Sequence, residues 1–376
     1  MSQAPVVGVI GGGQLARMMQ PAAIALGVRL RLLAESPSDC AAAVIPDTVV
    51  GTHHDLDVLR DFARGCDVIT FDHEHVPTAH LRALVAEGVQ VRPGPDALEH
   101  AQDKLLMRRA LFTAGIPVPD WAQVASVADV GEFASSRWPV VLKTPRGGYD
   151  GKGVRVVETP DQAAACFAEW TGPLLVEERV AFRRELAAMV ARTPSGQAVA
   201  YPVVETVQTN GICTEVVAPA DIPPDHAVAA QRVALSVAES LGVTGVLAVE
   251  MFETDGGVLV NELAMRPHNS GHWSIDGAIT SQFEQHLRAV LDWPLGVPSA
   301  RTPVSVMVNV LGGARDVFGQ YPHLFAHDPG VKVHWYGKEV RPGRKVGHVT
   351  VVGHDERECL ARARHAAQRL AGEADE

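Results

Sequence analysis

Cysteine is scarce in this 376-residue chain: five residues, Cys40, Cys66, Cys166, Cys213 and Cys359, scattered and without a C-x-x-C pair. An odd, dispersed set of this kind excludes a disulfide framework and a cysteine zinc site, and all five read as reduced thiols. Positive charge is also short. Lys and Arg number 33 against 44 Asp and Glu, a net charge of -11, so nonspecific binding to nucleic acid or to an anionic membrane is not expected and any phosphate site must be local. Long apolar runs are missing as well. No segment approaches the roughly 18 residues of a membrane span, and the early run Ala4–Ile10 lacks a basic flank and runs directly into glycines, unlike a signal peptide. These absences predict a cytoplasmic protein with no membrane partner.

What is present is apolar mass for folding. Hydrophobic residues make up 47%, enough for two or three packed units at this length. Residues 5–35 read as strand, Gly11-Gly12-Gly13 turn, helix, strand, and shorter apolar runs at 49–50, 67–71 and 89–91 continue a small parallel sheet to Pro93-Gly94-Pro95. One helix is expected over Asp96–Ala114, ended by Gly115-Ile-Pro-Val-Pro119. Beyond it strands outnumber helices, which predicts a largely antiparallel sheet. Helices are expected at 161–169, 226–241, 281–291 and 356–371, and strands of a small β-rich end piece at 304–311, 331–335 and 348–352.

The Gly-Gly-Gly-Gln-Leu-Ala turn fits a dinucleotide pattern, with Glu35 ending the second strand where a ribose-binding acid would sit. The same turn serves other phosphates, or none. Lys143 stands at a strand end before a loop of four glycines, Gly147, Gly148, Gly151 and Gly153, whose amides could approach phosphate oxygens or simply turn a hairpin. Leu174–Val180 reads as a buried strand ending in Glu177, Glu178, Arg179 and Val180, suited to reading an adenine edge or to returning to solvent. If Asp255-Gly256-Gly257 forms a three-residue loop, Glu250 falls directly opposite Glu262 on one face. Paired carboxylates there repel unless a cation such as Mg2+ joins them. Arg266, His268, Asn269 and His272 crowd the next segment, and Lys338, Arg341, Arg344 and Lys345 cluster near the end of an otherwise acidic chain. The first group suits a transferring phosphoryl group, the second an anionic substrate, and either could be a solvated polar loop.

Together, Gly-Gly-Tyr-Asp-Gly-Lys-Gly, Asn-Glu-Leu-Ala-x-Arg-Pro-His-Asn-Ser-Gly-His-Trp and Tyr-Gly-Lys-x-x-Arg-Pro-Gly-Arg-Lys-x-Gly-His resemble the 5-(carboxyamino)imidazole ribonucleotide synthases. The first motif is shared in looser form by other ATP-grasp ligases. The resemblance implies an α/β (α+β) ATP-grasp fold: a Rossmann-like pre-ATP-grasp domain at 1–97, an ATP-grasp domain at 98–298 with a lid at about 115–182, and a small β-rich C-terminal domain at 299–376 packing on the core. It implies a homodimer using ATP and Mg2+ to carboxylate 5-aminoimidazole ribonucleotide with bicarbonate through carboxyphosphate.

By position the resemblance assigns Lys104, Lys143, Gly148, Tyr149, Asp150, Gly151, Lys152, Gly153, Val154, Glu177, Glu178, Arg179, Val180, Glu185, Gln208, Asn261 and Glu262 to the nucleotide, and Glu250 and Glu262 to Mg2+. Arg266, His268 and Asn269 would surround bicarbonate. Glu74, Tyr149, Lys152, Arg341, Arg344 and Lys345 would hold the ribonucleotide, with Asp150 and Lys338 handling the amine proton. Lys104 stands where some members have arginine, and Gln208 where histidine can occur; both keep hydrogen-bonding capacity. Competing readings are a formate-dependent purine transformylase, an NAD-dependent oxidoreductase and a noncatalytic nucleotide sensor. The last two leave the paired glutamates and the terminal cations unexplained.

Overall fold

The computed structural model describes residues 4–148, 152–313 and 317–372. The N-terminal sheet is parallel, in the order β3-β2-β1-β4, from β1 Val6–Ile10, β2 Arg29–Ala34, β3 Asp47–Val50 and β4 Val68–Phe71. Helices α1 (Gln14–Leu26) and α2 (Leu56–Ala63) make the β1–β2 and β3–β4 crossovers, and α3 (Thr78–Ala86) follows β4. All five residues of β1 are buried, as befits a central strand covered on both faces. The glycine turn before α1 is filled from within. Asp72 accepts from the Gly13 amide at 3.1 Å and the Ala16 amide at 2.7 Å, and a Cβ on Gly13 would lie 2.1 Å from its carboxylate. These amides at the start of α1 thus serve a buried protein carboxylate, and Glu35 turns to His53 at 3.2 Å. Neither feature supports dinucleotide binding.

The helix expected over Asp96–Ala114 is two helices, α4 (Pro95–Gln102) and α5 (Lys104–Thr113). Asp103 breaks the run by accepting from the Leu105 and Leu106 amides at 3.0 and 3.1 Å as the N-cap of α5. A four-stranded antiparallel sheet follows, β5-β8-β6-β7, built from β5 Trp121–Val124, β6 Val140–Lys143, β7 Val154–Val157 and β8 Leu174–Glu178. Helices α6 (Val127–Ala134) and α7 (Pro160–Glu169) cover it around Val130, Leu142, Val157, Ala163 and Val176.

The third sheet has nine strands: β9 Arg184–Arg192, β10 Ala198–Ala200, β11 Val204–Thr209, β12 Ile212–Ala218, β13 Gly245–Thr254, β14 Gly257–Ala264, β15 Val304–Leu311, β16 Lys332–Trp335 and β17 Lys345–Gly353. Its pairings are antiparallel, as the strand-rich sequence predicts. Ala230, Ala234 and Ala238 of α8 (Pro224–Ser240) pack into the core that holds Leu186, Val190, Leu247 and Val249 of β9 and β13. Each fully buried Leu or Val of that core contributes about 1.5–3 kcal/mol. The short α9 (Ser274–Gly277) and α10 (Gln282–Val290) lie between β14 and β15, while α11 (Val317–His327) and α12 (Glu356–Ala371) flank the last strands. The C-terminal piece extends the central sheet edge to edge through β12 and β15. Among the described residues no helix is long and apolar enough to cross a membrane.

The β13–β14 hairpin brings Glu250 opposite Glu262 by a different route from the three-residue loop. Thr254 pairs with Gly257, leaving a two-residue Asp255-Gly256 turn, and the register shifts one residue further along, where Met251 pairs with Val260. Asn261 is the extra residue of a β-bulge. A bulge locally breaks the alternation of side chains, and here both Asn261 and Glu262 line the same cavity.

Candidate active site

A cavity of about 1060 Å³ opens between the β5–β8 sheet and the central sheet, large enough for a nucleotide with a second small molecule beside it. At its base lies a charged network. Arg108 of α5, fully buried, donates its Nε to Glu177 and one terminal nitrogen to the Asn261 carbonyl at 2.7 Å. Lys143 reaches the other Glu177 oxygen at 2.7 Å and the Asn261 Oδ1 at 3.0 Å. Lys104, one turn before Arg108, pairs with Glu262 at 2.7 Å. Burial alone would raise the Glu177 acid, but Arg108 and Lys143 outweigh it and hold the carboxyl well below its ordinary range. Glu262 likewise resists burial through Lys104 and Lys143 and stays low.

Glu250 behaves oppositely. Burial, then Glu262 and Glu185, push its carboxyl up to about 7. Two acids facing each other, one held ionised by lysines and one raised, form a donor set suited to a hard divalent cation such as Mg2+. Glu250 and Glu262 would hold it.

Beyond the acids, the segment after β14 is braced from three sides. Glu74 accepts from Arg266 Nε at 2.8 Å and from the Met265 amide at 3.1 Å. Gln282 brackets the His268 backbone, accepting from its N–H at 2.8 Å and donating to its carbonyl at 2.9 Å. The Ser270 amide donates to His268 Nδ1 at 3.3 Å, which assigns the ring proton to Nε2, 3.8 Å from Glu250. Burial, with Arg266 and Lys345 nearby, lowers this imidazole to about 3, so it is neutral.

Most of the sequence-derived candidates meet in this cavity. Lys104, Lys143, Gly148, Val154, Glu177, Glu178, Arg179, Val180, Glu185, Gln208, Glu250, Asn261 and Glu262 line it, together with Glu74, Arg266, His268, Asn269 and Lys345. Gly153 does not line it but closes the loop: its carbonyl accepts from the Thr144 amide at 2.8 Å, and at φ +69° a Cβ would strike the Thr144 hydroxyl at 2.3 Å. Lys152 is also outside the lining, and Tyr149, Asp150 and Gly151 lie outside the described residues.

The terminal cations divide. Lys345 faces the cavity, whereas Arg341 is exposed and pairs with its neighbour Glu339 at 2.6 Å, and Arg344 is exposed and donates to the Glu339 carbonyl at 3.2 Å. Lys338 lies 5.9 Å from the Tyr336 ring centre. Burial lowers its ammonium, with Cys40 and Asp72 of the N-terminal unit opposing. Sequence reasoning passed over Arg108, although its spacing from Lys104 puts both cations on one helix face, and the stacked Phe182–Phe252 pair, 4.8 Å between centres, that adds an apolar wall.

A four-stranded antiparallel sheet facing the central sheet across this cavity, with Lys143 on the first, Lys104 on α5 and the acid pair on the second, is the arrangement of an ATP-grasp ligase. Family models agree: a ribonucleotide synthetase preATP-grasp domain matches residues 5–102, an ATP-grasp domain 109–283, and a phosphoribosylaminoimidazole carboxylase C-terminal domain 305–362. The N5-carboxyaminoimidazole ribonucleotide synthase of Mycobacterium tuberculosis is 57% identical over 98% of this chain and 88% of its own length. The solved synthetase of Thermus thermophilus superposes with a TM-score of 0.88 at 37% identity, covering 98% of this chain and 99% of that one. The Aspergillus clavatus synthase in complex with ADP and 5-aminoimidazole ribonucleotide gives 0.88 at 32% identity, covering 98% and 100%. The chain belongs to the N5-carboxyaminoimidazole ribonucleotide synthase family.

Proposed function

We propose that this protein couples ATP cleavage to carboxylation of 5-aminoimidazole ribonucleotide, giving the N5-carboxyamino product, ADP and phosphate in purine biosynthesis. The observation that carries the reading is the meeting, in one cavity, of the Glu250–Glu262 pair, Lys104 and Lys143 with Arg266, His268 and Asn269. Lys104 and Lys143 would take the nucleotide phosphates, exchanging Glu262 and Glu177 for them. Mg2+, when bound by Glu250 and Glu262, would screen charge on the transferring phosphoryl group. Arg266 and Asn269 would hold bicarbonate while one of its oxygens attacks phosphorus. The amine then attacks the carboxyl carbon of carboxyphosphate, the C–O bond to phosphate breaks, and the amine proton passes to a base. Asp150 and Lys338 are our candidates for that transfer, and Lys345 for contact with the ribonucleotide phosphate.

Closure of the lid, at about 115–182, would keep water from the intermediate; strands β5 to β8 all fall within that span. Divisions near residues 97 and 298 complete the proposed domain plan. We further infer a cytoplasmic homodimer, a state that light scattering would check. The proposed activity is tested by supplying bicarbonate or formate with ATP and a purine-pathway ribonucleotide acceptor: ADP should form with bicarbonate and 5-aminoimidazole ribonucleotide, and productive use of formate would point instead to a transformylase.

A further inference from the structure

Asn309 lies on β15, in the C-terminal piece, and is only 5% exposed. It does not line the cavity. Its amide forms a reciprocal pair with Asn269: Asn269 Nδ2 donates to Asn309 Oδ1 at 3.0 Å, and Asn309 Nδ2 donates to Asn269 Oδ1 at 2.7 Å. The second hydrogen of Asn309 Nδ2 goes to the Cys213 backbone carbonyl on β12, at 2.9 Å.

This chain of bonds has a direction. A carbonyl can only accept, so Cys213 fixes which end of the Asn309 amide faces it. With Asn309 oriented, the reciprocal pair permits only one orientation of the Asn269 amide. One Nδ2 hydrogen and one Oδ1 lone pair of Asn269 are then consumed, and the second Nδ2 hydrogen has no acceptor among the described residues. Asn269 lines the cavity beside His268 and Arg266, so that hydrogen is a donor of fixed sense for an oxyanion.

We propose that Asn309 is a positioning residue for carboxylation. Acting from the C-terminal piece, it sets the amide of Asn269 so that an N–H, not the carbonyl oxygen, is presented to the oxygens of bicarbonate and of its phosphorylated form. The inference rests on the proposed function, in which Asn269 contacts that anion.

The test uses the full chain carrying Asn309→Asp, nearly isosteric with the native residue, beside Asn269→Ala. A carboxylate at 309 faces Asn269 Oδ1 and the Cys213 carbonyl with no hydrogen to offer, whereas a protonated carboxyl can donate again. Misplacing a binding group costs about 10²-fold at the upper end, so Asn309→Asp should lose about 10- to 100-fold in kcat/KM for bicarbonate at about pH 8.5. ADP affinity and the KM for ATP should stay within about threefold. The ratio of variant to wild-type activity should rise as pH falls, because burial between two carbonyl oxygens raises the introduced acid above the ordinary carboxylate range and its protonated form can donate again.

A deficit flat in pH, an equal loss of ADP affinity, a variant too poorly folded to bind ADP, or bicarbonate kinetics equal to wild type would each overturn the positioning role. Asn269→Ala separates this failure from failure of the underlying reading. If it leaves bicarbonate kinetics unchanged, Asn269 does not touch the anion; if it impairs them while Asn309→Asp does not, only the positioning inference falls.

Discussion

Replacing Glu250 by glutamine should stabilise the nucleotide-free protein, and only on the alkaline side. The Glu250 carboxyl is raised from its ordinary 4.5 to about 7, by burial first and by Glu262 second. Between those values the folded chain holds a proton that the unfolded chain has released, so this group's contribution to stability falls as pH rises through the window and stays unfavourable above it. At about 1.36 kcal/mol per pH unit the displacement corresponds to about 3 kcal/mol. The side chain remains 25% exposed to the cavity, and screening there reduces the figure to roughly 1–3 kcal/mol. Glutamine removes the charge while keeping the volume. For a chain of this size the gain corresponds to roughly 1–4 °C in melting temperature at pH 8, falling towards zero at pH 5. Thermal melts at both pH values, with and without Mg2+ and ADP, would measure it. The variant should also lose most of the stabilisation that Mg2+ with ADP gives the wild type. A variant less stable than wild type at pH 8, or an equal gain at both pH values, would refute the argument that the pair is a strained cation site.

Glu262→Gln should reduce ATP turnover by about 10²-fold or more by weakening Mg2+ at the phosphoryl group, and near-normal turnover at ordinary Mg2+ would exclude the metal role. It should not stabilise the empty protein, because Glu262 already has Lys104 at 2.7 Å. Arg108→Met leaves the buried Glu177 with Lys143 alone and removes a donor from the Asn261 carbonyl, and should cost about 1.5–3 kcal/mol, read as a lower melting temperature and a higher KM for ATP; Arg108→Lys should recover part of both, and a Met variant as stable as wild type would contradict the network. Lys345→Ala should mainly raise the KM for the ribonucleotide, and an unchanged value would remove Lys345 from that subsite.

Much of this arrangement is legible in the sequence, because the informative features are local. The opposition of Glu250 and Glu262 follows from hairpin arithmetic, although the extra residue sits at the Asn261 bulge and not in the turn; either placement gives the same register at the acids, so periodicity alone could not separate them. The break at Asp103 was also available, since aspartate before Lys104 is a good N-cap, but the apolar pattern runs on through it and suggested one helix. Arg108 was missed because a fully buried arginine runs against the usual distribution of charge, and only the tertiary meeting of α5, β8 and β14 supplies its partners. The final cation cluster is a single sequence feature that the fold disperses: Lys345 turns to the cavity, Lys338 lies over the Tyr336 ring, and Arg341 turns to solvent. The glycine turn before α1 shows the reverse error, since its pattern suits a phosphate while Asp72, 59 residues from Gly13, takes its amides.

Activation of bicarbonate by phosphorylation in this cavity, before the amine attacks, can be followed by isotope transfer. With ATP, 5-aminoimidazole ribonucleotide and bicarbonate labelled with heavy oxygen, the bridging oxygen of carboxyphosphate leaves with phosphorus when the C–O bond breaks. Released phosphate should therefore carry one heavy oxygen for each carboxyamino product formed, and phosphate formed with product but free of label would contradict the account.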